Sequence, residues 1–460
     1  MDFPVFHLDF LGNRLLIALI AILHTVINHP LAVGGLPLIA LMEWWGHRKD
    51  DPRWDRTAKK ILFVFFIITT SFGALTGVGI WLSTSLVNPT AIGSLIRVFF
   101  WAWFTEWIVF VTEVCLILAY YLTWDRWSGI LKGRHIRFGF LLAGASWATM
   151  AIIVAILSFM MDTGNWLTDR SLLSAVLNPV YLPQLSFRTP LAMVMAGAAA
   201  LFILAFESRK NPLRDEAVKL VCRWMLAWSP FLAAGSYWYW RVIPKSMVAN
   251  MSTALTTQAF TAWYDLVLFI LLWSIAFLVA FAGLGAWKPK WVWRPAMIIP
   301  FFVLAALLAD FERAREFIRK PYAIANYLYA NGFRKDDYPL LQSEGILKYA
   351  TFASIHSVTP ENRVLAGREV FVLACTRCHT VGGVNSIVSK LKTMYGACPW
   401  NEDAISSYLA SIHQARSFMP PFPGNEAERK ALASYLVSLQ TRGDFIQGAQ
   451  TIGINPGLTQ

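Results

Sequence analysis

Long apolar runs, separated by short polar segments, occupy the first three-quarters of the chain. Each of eight windows is long enough to cross a hydrocarbon layer of about 30 Å as a helix. These windows lie near residues 13–43, 60–86, 95–123, 137–161, 187–206, 217–242, 263–286 and 293–312. The pattern therefore predicts an all-α fold class, with a polytopic transmembrane helix bundle of about eight helices.

The last quarter of the chain has the pattern of a small soluble helical domain. One helix is predicted near Gly367 to Phe371, and another from about Glu426 to Leu439, where apolar residues recur on one stripe. The predicted organisation is a transmembrane bundle over residues 1–320, a linker over 321–359, a small all-α domain over 360–445 and a C-terminal tail over 446–460.

Basic residues concentrate in alternate loops between the predicted membrane helices. These loops lie at 47–60, 126–137, 209–219 and 288–294, and the remaining loops hold few Lys or Arg. By the positive-inside bias, the basic loops face the cytoplasm and both termini lie outside. Most of the net charge of +12 then lies in these loops, where it orients the chain and contacts the anionic lipid bilayer. No nucleic acid partner is needed to explain the charge, and none is expected.

The run Cys375-Thr376-Arg377-Cys378-His379 is a CxxCH motif, the attachment site of a c-type haem. In such a site the two cysteines form thioethers with the porphyrin and the histidine binds the iron. Met419, in the proline-rich loop Ser417–Phe422, is the predicted second axial ligand, and His413 is the alternative. The motif therefore predicts one covalent haem c, with His379 and Met419 as iron ligands.

The whole C-terminal segment resembles the class I cytochromes c in its arrangement of helices, motif and methionine loop. The resemblance implies that residues 360–445 form a monohaem cytochrome c domain that carries one electron at a time. Haem is attached to CxxCH on the outer face of a bacterial membrane. The domain should therefore be periplasmic, in agreement with the loop charges.

Ionisable residues within the predicted membrane helices mark candidate cofactor sites, because each is costly there. His24 and His29 lie about 140° apart on the first helix, so only one is expected to bind a given iron. Glu106 and Glu113 share a face of the third helix, and Glu106 lies at a depth similar to that of His24. His24 is the candidate ligand of a b-type haem, Glu106 a ligand or haem-pocket carboxylate, and Glu113 a proton-relay or propionate-side partner. The alternative for His24 is a buried, hydrogen-bonded histidine, and for the two glutamates it is an interhelical hydrogen bond or a pair with one of the membrane arginines.

Residues of alternating charge end the eighth predicted helix and lead into the connector. Glu316 and Arg319 are interpreted either as part of a solvated helix end or as a clamp for haem propionates or a quinone headgroup. The aromatic connector that follows is long enough for the haem domain either to dock on the membrane part or to swing.

Short motifs in the membrane part resemble subunit I of the cytochrome bd quinol oxidases, here followed by a cytochrome c domain. The similarity covers most of residues 10–325 in layout. It implies that His24 ligates a haem, that Glu106 and Glu113 are the paired acidic residues near the high-spin haems, and that Glu316 and Arg319 lie near a haem at the outer face. The motifs are Leu15–His24, Thr105-Glu106, Thr112-Glu113, Val176–Val180 and Arg315–Tyr322.

The chain departs from that family at the low-spin haem. Arg188 stands in the segment where the family has a haem-ligating histidine, and residues 264–278 contain no methionine. The first expectation is a respiratory electron-transfer subunit of the bacterial inner membrane. It would pass electrons between a b-type haem or quinone site and the periplasmic haem c, together with other respiratory subunits and a periplasmic redox protein. A cofactor-poor membrane anchor for a cytochrome c is the alternative, followed by a bd-like oxidase fed by cytochrome c.

Overall fold

The structure is a computed structural model that describes residues 4–207, 213–396 and 398–451. Arg209 and Lys210 of the third basic loop lie outside the described residues, as does the part of the predicted tail beyond Thr451. The chain divides into two compact units. The bundle unit comprises Ile20–Ile80 and Leu95–Ile318, and the C-terminal unit comprises Met1–Leu19, Trp81–Ser94 and Arg319–Gln460.

Within the described residues, eight helical segments are long and apolar enough to cross a membrane, which confirms the predicted all-α bundle. The first two spans each contain a single π-helical turn, at His29–Val33 and Thr69–Gly73. The spans are Asn13–Lys49, Pro52–Val87, Phe100–Thr123, Gly129–Phe159, Tyr181–Ala205, Arg214–Val242, Phe260–Trp287 and Pro295–Ile318.

A proline and a close approach of the fifth span both occur at the first π-helical turn. Pro30 has no backbone N–H to donate, which weakens the regular helical hydrogen-bond ladder there. A Cβ atom added at Gly34 would lie 2.0 Å from the carbonyl oxygen of Ala192, so only glycine allows this approach. The fifth span forms the centre of the bundle core, and Ala192, Ala196 and Ala200 are fully buried on it.

Short helices connect the spans, and two spans expose many apolar side chains. The connecting helices are Pro89–Val98, Trp166–Asp169, Leu172–Val176, Lys245–Val248 and Met251–Leu255. Trp107 of the third span and Phe269 of the seventh are more than half exposed. Exposed residues of this kind suit contact with lipid acyl chains.

The C-terminal unit packs short helices around a two-helix crossing. A Cβ atom added at Gly367 would lie 2.0 Å from the carbonyl oxygen of Ala431, which shows how closely the first and last helices cross. The rings of Phe371 and Tyr435 lie 5.7 Å apart beside this crossing. The last helix extends beyond the predicted end at Leu439. The helices are Tyr338–Glu344, Arg363–Ala374, Ile387–Tyr395, Glu402–Ala410, Ile412–Ala415 and Glu426–Thr451.

Residues 321–359, the predicted linker, are folded and are not an extended connector. It contains an antiparallel pair of strands, Tyr322–Ile324 and Leu328–Tyr329, followed by the helix Tyr338–Glu344. Tyr338, Leu341 and further apolar residues of this segment are buried in the same core as Phe371. The physical reason is its content of large apolar side chains, whose burial stabilises a folded segment.

Candidate functional site

The CxxCH motif follows directly after the helix Arg363–Ala374. The backbone N–H groups of Cys378 and His379 both donate to the carbonyl oxygen of Cys375, at 3.0 Å and 2.9 Å, so the chain makes a tight turn here. The turn brings Cys375, Cys378 and His379 together, which suits two thioether bonds and one iron ligand.

The imidazole of His379 is oriented by the backbone. Its Nδ1 lies 3.3 Å from the carbonyl oxygen of Asn385, so Nε2 is the nitrogen that can bind iron. Burial, with Lys390 nearby, lowers the pKa of His379 to about 4, which keeps the ring in the neutral form that binds a metal. The donor set therefore fits an axially ligated haem.

Met419 lies in a loop that His413 supports. The Nδ1 of His413 donates to the carbonyl oxygen of Met419 at 2.6 Å, and the Met419 N–H donates to the carbonyl oxygen of Arg416 at 2.8 Å. His413, the alternative iron ligand, thus contacts the backbone of the preferred ligand. This contact suits a role in holding the methionine loop.

In the bundle unit, His24 is held by groups from its own helix and from the second span. Its Nδ1 lies 3.2 Å from both the carbonyl oxygen of Gly73 and the hydroxyl oxygen of Thr76, and in the tautomer with the proton on Nδ1 it donates to these acceptors. The amide nitrogen of Asn28 lies 3.0 Å from the same ring nitrogen. A Cβ atom at Gly77 would lie 3.2 Å from the ring atom Cε1, so a glycine makes room for the ring. A histidine fixed through Nδ1 presents Nε2 to a metal, which is how haem-ligating histidines are arranged.

Glu106 and Glu113 lie half-buried on the third span. Thr149 of the fourth span donates its hydroxyl to Glu113 Oε2 at 3.1 Å. Glu113 thus makes an interhelical hydrogen bond, which is the predicted alternative to a role as proton relay or propionate-side partner.

His29 is engaged in a buried polar cluster instead of facing open space. Arg188 Nη1 lies 3.1 Å from His29 Nε2, and Arg188 Nη2 donates to Glu312 Oε1 at 2.6 Å. Arg315 donates to Glu312 Oε2 at 3.0 Å. The sequence pattern draws attention to Arg188 only through the missing histidine in its segment, and it does not predict this cluster. An arginine inside a membrane span is itself a signal that a carboxylate partner lies close to it.

The two residues predicted at the end of the eighth span lie in different units. Glu316 is on the helix Ile299–Ile318, one turn after Glu312, and belongs to the bundle unit. Arg319 belongs to the C-terminal unit, where it is buried and donates through Nη1 to the carbonyl oxygen of Ala323 at 3.1 Å. Their role toward haem propionates or a quinone stays a prediction.

A second buried cluster, which sequence reasoning missed, joins the first four spans. Glu43 Oε2 accepts from the Tyr120 hydroxyl at 2.6 Å, and Glu43 Oε1 lies 2.6 Å from Lys132 Nζ and 2.5 Å from His135 Nδ1. Lys132 also pairs with Asp55. Glu43 lies among apolar residues of the first span, and an isolated carboxylate in a membrane span indicates a buried polar partner.

Comparisons with known proteins find matches for both parts of the chain. Residues 13–238 match the family model of the cytochrome bd terminal oxidase subunit I, and residues 362–436 match that of the cytochrome C oxidase, cbb3-type, subunit III. The structure of the bd oxidase from Geobacillus thermodenitrificans matches with a TM-score of 0.53 and 17% identity, and the match covers 68% of this chain and 87% of that chain. No curated protein matches the sequence.

These matches confirm the predicted combination of a bd subunit I-like membrane bundle with a C-terminal cytochrome c domain. At 17% identity the solved structure shows the fold alone. A cytochrome c domain implies haem c, and a bd-type subunit implies haem b. Together they support a respiratory electron-transfer role for a multi-pass protein of a bacterial membrane.

Proposed function

We propose that the chain is a respiratory electron-transfer subunit that passes electrons between a cofactor in the membrane bundle and a periplasmic haem c. The haem c is held by Cys375, Cys378, His379 and Met419. In the bundle, His24 is the proposed ligand of a b-type haem, and a quinone site is the alternative electron partner. Haem supplies one-electron chemistry, and the protein supplies the ligands, their orientation and their electrostatic surroundings.

One observation carries this proposal: two histidines, His24 and His379, have Nδ1 near a backbone carbonyl oxygen, at 3.2 Å and 3.3 Å respectively. Such a contact fixes the ring and directs Nε2 toward a metal. For His379 the covalent attachment motif supports the same interpretation independently. For His24 the support comes from Gly77, which has no side chain and so lets the ring pack against the second span.

The carboxylates have supporting roles in this proposal. Glu106 offsets the charge of ferric iron in the haem pocket, and Glu113 serves as a proton-relay or propionate-side partner. Glu316 and Arg319 are proposed to contact haem propionates or a quinone headgroup. Both termini and the haem c domain lie in the periplasm, where a redox protein and other respiratory subunits are the proposed partners.

The buried position of Arg188 favours one alternative function, a membrane anchor with few cofactors. Arg188 lies in the segment where a resemblance to the bd family would place a haem-ligating histidine, and it pairs with Glu312. A guanidinium group carries no lone pair for iron, so we infer that the quinol-oxidising low-spin haem is absent. A bd-like terminal oxidase fed by cytochrome c is accordingly less favoured.

The test is a count of haems in the purified chain. A pyridine haemochrome spectrum, combined with a reduced-minus-oxidised spectrum, measures haem c and haem b separately. One haem c with at least one haem b supports electron transfer through the bundle. Haem c without haem b in the wild-type protein contradicts that proposal and leaves the anchor function.

A further inference from the structure

Arg377, the second variable residue of the CxxCH motif, is buried and bonds three backbone carbonyl oxygens. Its Nε donates to Val87 at 3.2 Å, and its Nη1 donates to Leu373 at 3.1 Å and to Asn331. Leu373 belongs to the helix that precedes the motif, whereas Val87 and Asn331 belong to distant segments. The guanidinium group therefore ties the haem-attachment turn to two other parts of the C-terminal unit.

Val87 is the last residue of the second membrane span, which explains why a cation suits this position. The last four carbonyl groups of a helix have no partner within it, and they carry partial negative charge. The Arg377 guanidinium donates to one of these groups where both residues are buried. The attachment turn is thus anchored to the end of a membrane helix.

Gly332 makes room for this side chain. A Cβ atom added at Gly332 would lie 2.6 Å from Arg377 Cζ, and the residue has a φ of +86°. Any other residue would press against the guanidinium group and adopt an unfavourable backbone conformation. The carbonyl oxygen of the neighbouring Asn331 is one of the three acceptors of Arg377. The turn at Gly332 therefore provides both the space for the guanidinium group and one of its hydrogen-bond partners.

The N-terminal segment holds the other side of the attachment loop. The Asp9 carboxylate accepts from the N–H groups of Val381 and Gly382, at 2.6 Å and 3.3 Å, and the Phe10 carbonyl oxygen accepts from Val384 at 3.3 Å. A Cβ atom at Gly383 would lie 1.9 Å from the Asp9 carbonyl oxygen. The segment just before the first membrane span thus packs directly on the loop after His379.

We propose that Arg377 and Asp9 are positioning residues that fix the haem-attachment loop to the segments adjoining the first and second membrane spans. The haem c is then held in one orientation within the C-terminal unit. The inference rests on the proposed function for its purpose, since a fixed haem orientation favours reproducible electron transfer. The contacts that carry it all lie within the C-terminal unit.

The experiment compares the full-length holoprotein with the variants Asp9→Asn and Arg377→Gln. Amide hydrogen exchange reports the N–H groups of residues 381–384, and EPR of oriented membrane layers reports the angular spread of the haem c axes. We expect exchange at Val381 to accelerate by about tenfold in Asp9→Asn, because a charge-assisted hydrogen bond is weakened. The angular spread should widen in both variants.

Matched controls separate docking from general charge or folding effects. Asp336→Asn and Arg368→Gln remove the same charges from exposed positions of the same unit. Gly332→Ala should behave like Arg377→Gln, whereas Gly396→Ala should not. Gly396 has a similar positive φ of +59°, but nothing lies within 4 Å of an added Cβ atom.

The outcomes decide the proposal independently of any haem b. If Asp9→Asn and Gly332→Ala leave exchange and angular spread equal to those of their controls, haem c is not held by these residues and the proposal is wrong. If Arg377→Gln does not incorporate haem c, Asp9→Asn and Gly332→Ala still test the proposal. A wild-type protein without haem b would contradict the proposed function and leave this measurement intact.

Discussion

Arg188 and Glu312 form an ion pair inside the bundle unit, with Arg188 Nη2 and Glu312 Oε1 2.6 Å apart. Their side chains come from the fifth and eighth spans and are only 1% and 7% exposed. Arg315 binds the other carboxylate oxygen of Glu312 at 3.0 Å. One carboxylate thus bridges two guanidinium groups and supplies the counter-charge that they share.

Replacing Glu312 should destabilise the protein more than replacing Arg188. Glu312→Gln leaves two buried arginines without their shared counter-charge, and we expect a loss of about 3–5 kcal/mol in the free energy of unfolding. Arg188→Met should lose less, because the pair of Glu312 and Arg315 remains. Denaturant unfolding in detergent measures both. Asp310→Asn, which breaks a partly exposed pair, is the control and should lose no more than about 1 kcal/mol. Equal losses for Glu312→Gln and Arg188→Met would contradict this account.

Met419→Ala should remove the sulfur-to-iron ligation of haem c. The ferric wild-type protein is expected to have a weak absorption band near the red edge of the spectrum, which reports methionine bound to iron. The band should disappear in the variant while the covalent haem remains in full amount, because the thioethers to Cys375 and Cys378 are unaffected. The exposed Met394 provides the control variant Met394→Ala. A band that persists in Met419→Ala would identify another ligand, and His413 is then the first to test.

His24→Ala should remove haem b and leave haem c unchanged. The imidazole is the proposed iron ligand, and the covalent haem does not depend on the bundle for its attachment. The pyridine haemochrome spectrum measures both haems in one sample. His47→Ala changes an exposed histidine on the same span and should change neither haem. Full retention of haem b in His24→Ala would show that this histidine is not the ligand, and its hydrogen bonds to the second span would then be its main role.

Sequence reasoning was most successful where one strong physical rule applied. The eight spans follow from the length of apolar runs, since a bilayer admits few other structures. The haem c motif follows from covalent chemistry that fixes both residue types and spacing. Neither conclusion required knowledge of tertiary contacts.

Contacts between distant residues could not be predicted in the same way. Arg188 and Glu312 are 124 positions apart, and Asp9 and Val381 are 372 apart. No local period relates such residues, so their pairing depends on how the helices pack. The sequence pattern marks the connector as aromatic, but it does not identify the core in which Tyr338 is buried.

The orientation of the membrane part can be tested with reporter fusions. A reporter fused after Lys49 or after Arg134 should report the cytoplasm, and one fused after Asn165 should report the periplasm. The reason is the asymmetry of Lys and Arg between alternate loops. Paired alkaline phosphatase and fluorescent protein fusions at each site provide opposite signals, so each fusion controls the other. A periplasmic signal after Lys49 would contradict the proposed topology and would place the haem c domain on the wrong side for haem attachment.

Glu43 should be a second position where loss of one carboxylate is costly. His135 places Nδ1 2.5 Å from Glu43 and Nε2 3.0 Å from the Tyr120 carbonyl oxygen, so both ring nitrogens face oxygen atoms. Glu43→Gln would leave the buried Lys132 ammonium without its carboxylate partner inside the bundle, and we expect a loss of about 3–5 kcal/mol in the free energy of unfolding.

The matched control for Glu43 is Glu216→Gln. Glu216 pairs with Lys49 at 3.2 Å, but its side chain is 51% exposed. Solvent screens such a pair, so its loss should cost no more than about 1 kcal/mol. Denaturant unfolding of both variants, with haem content measured on the same samples, separates stability from cofactor binding. If Glu43→Gln unfolds like Glu216→Gln, the cluster is not held together by charge. Packing then makes the main contribution, as between the third and fourth spans, where the rings of Tyr120 and His135 stack 4.5 Å apart.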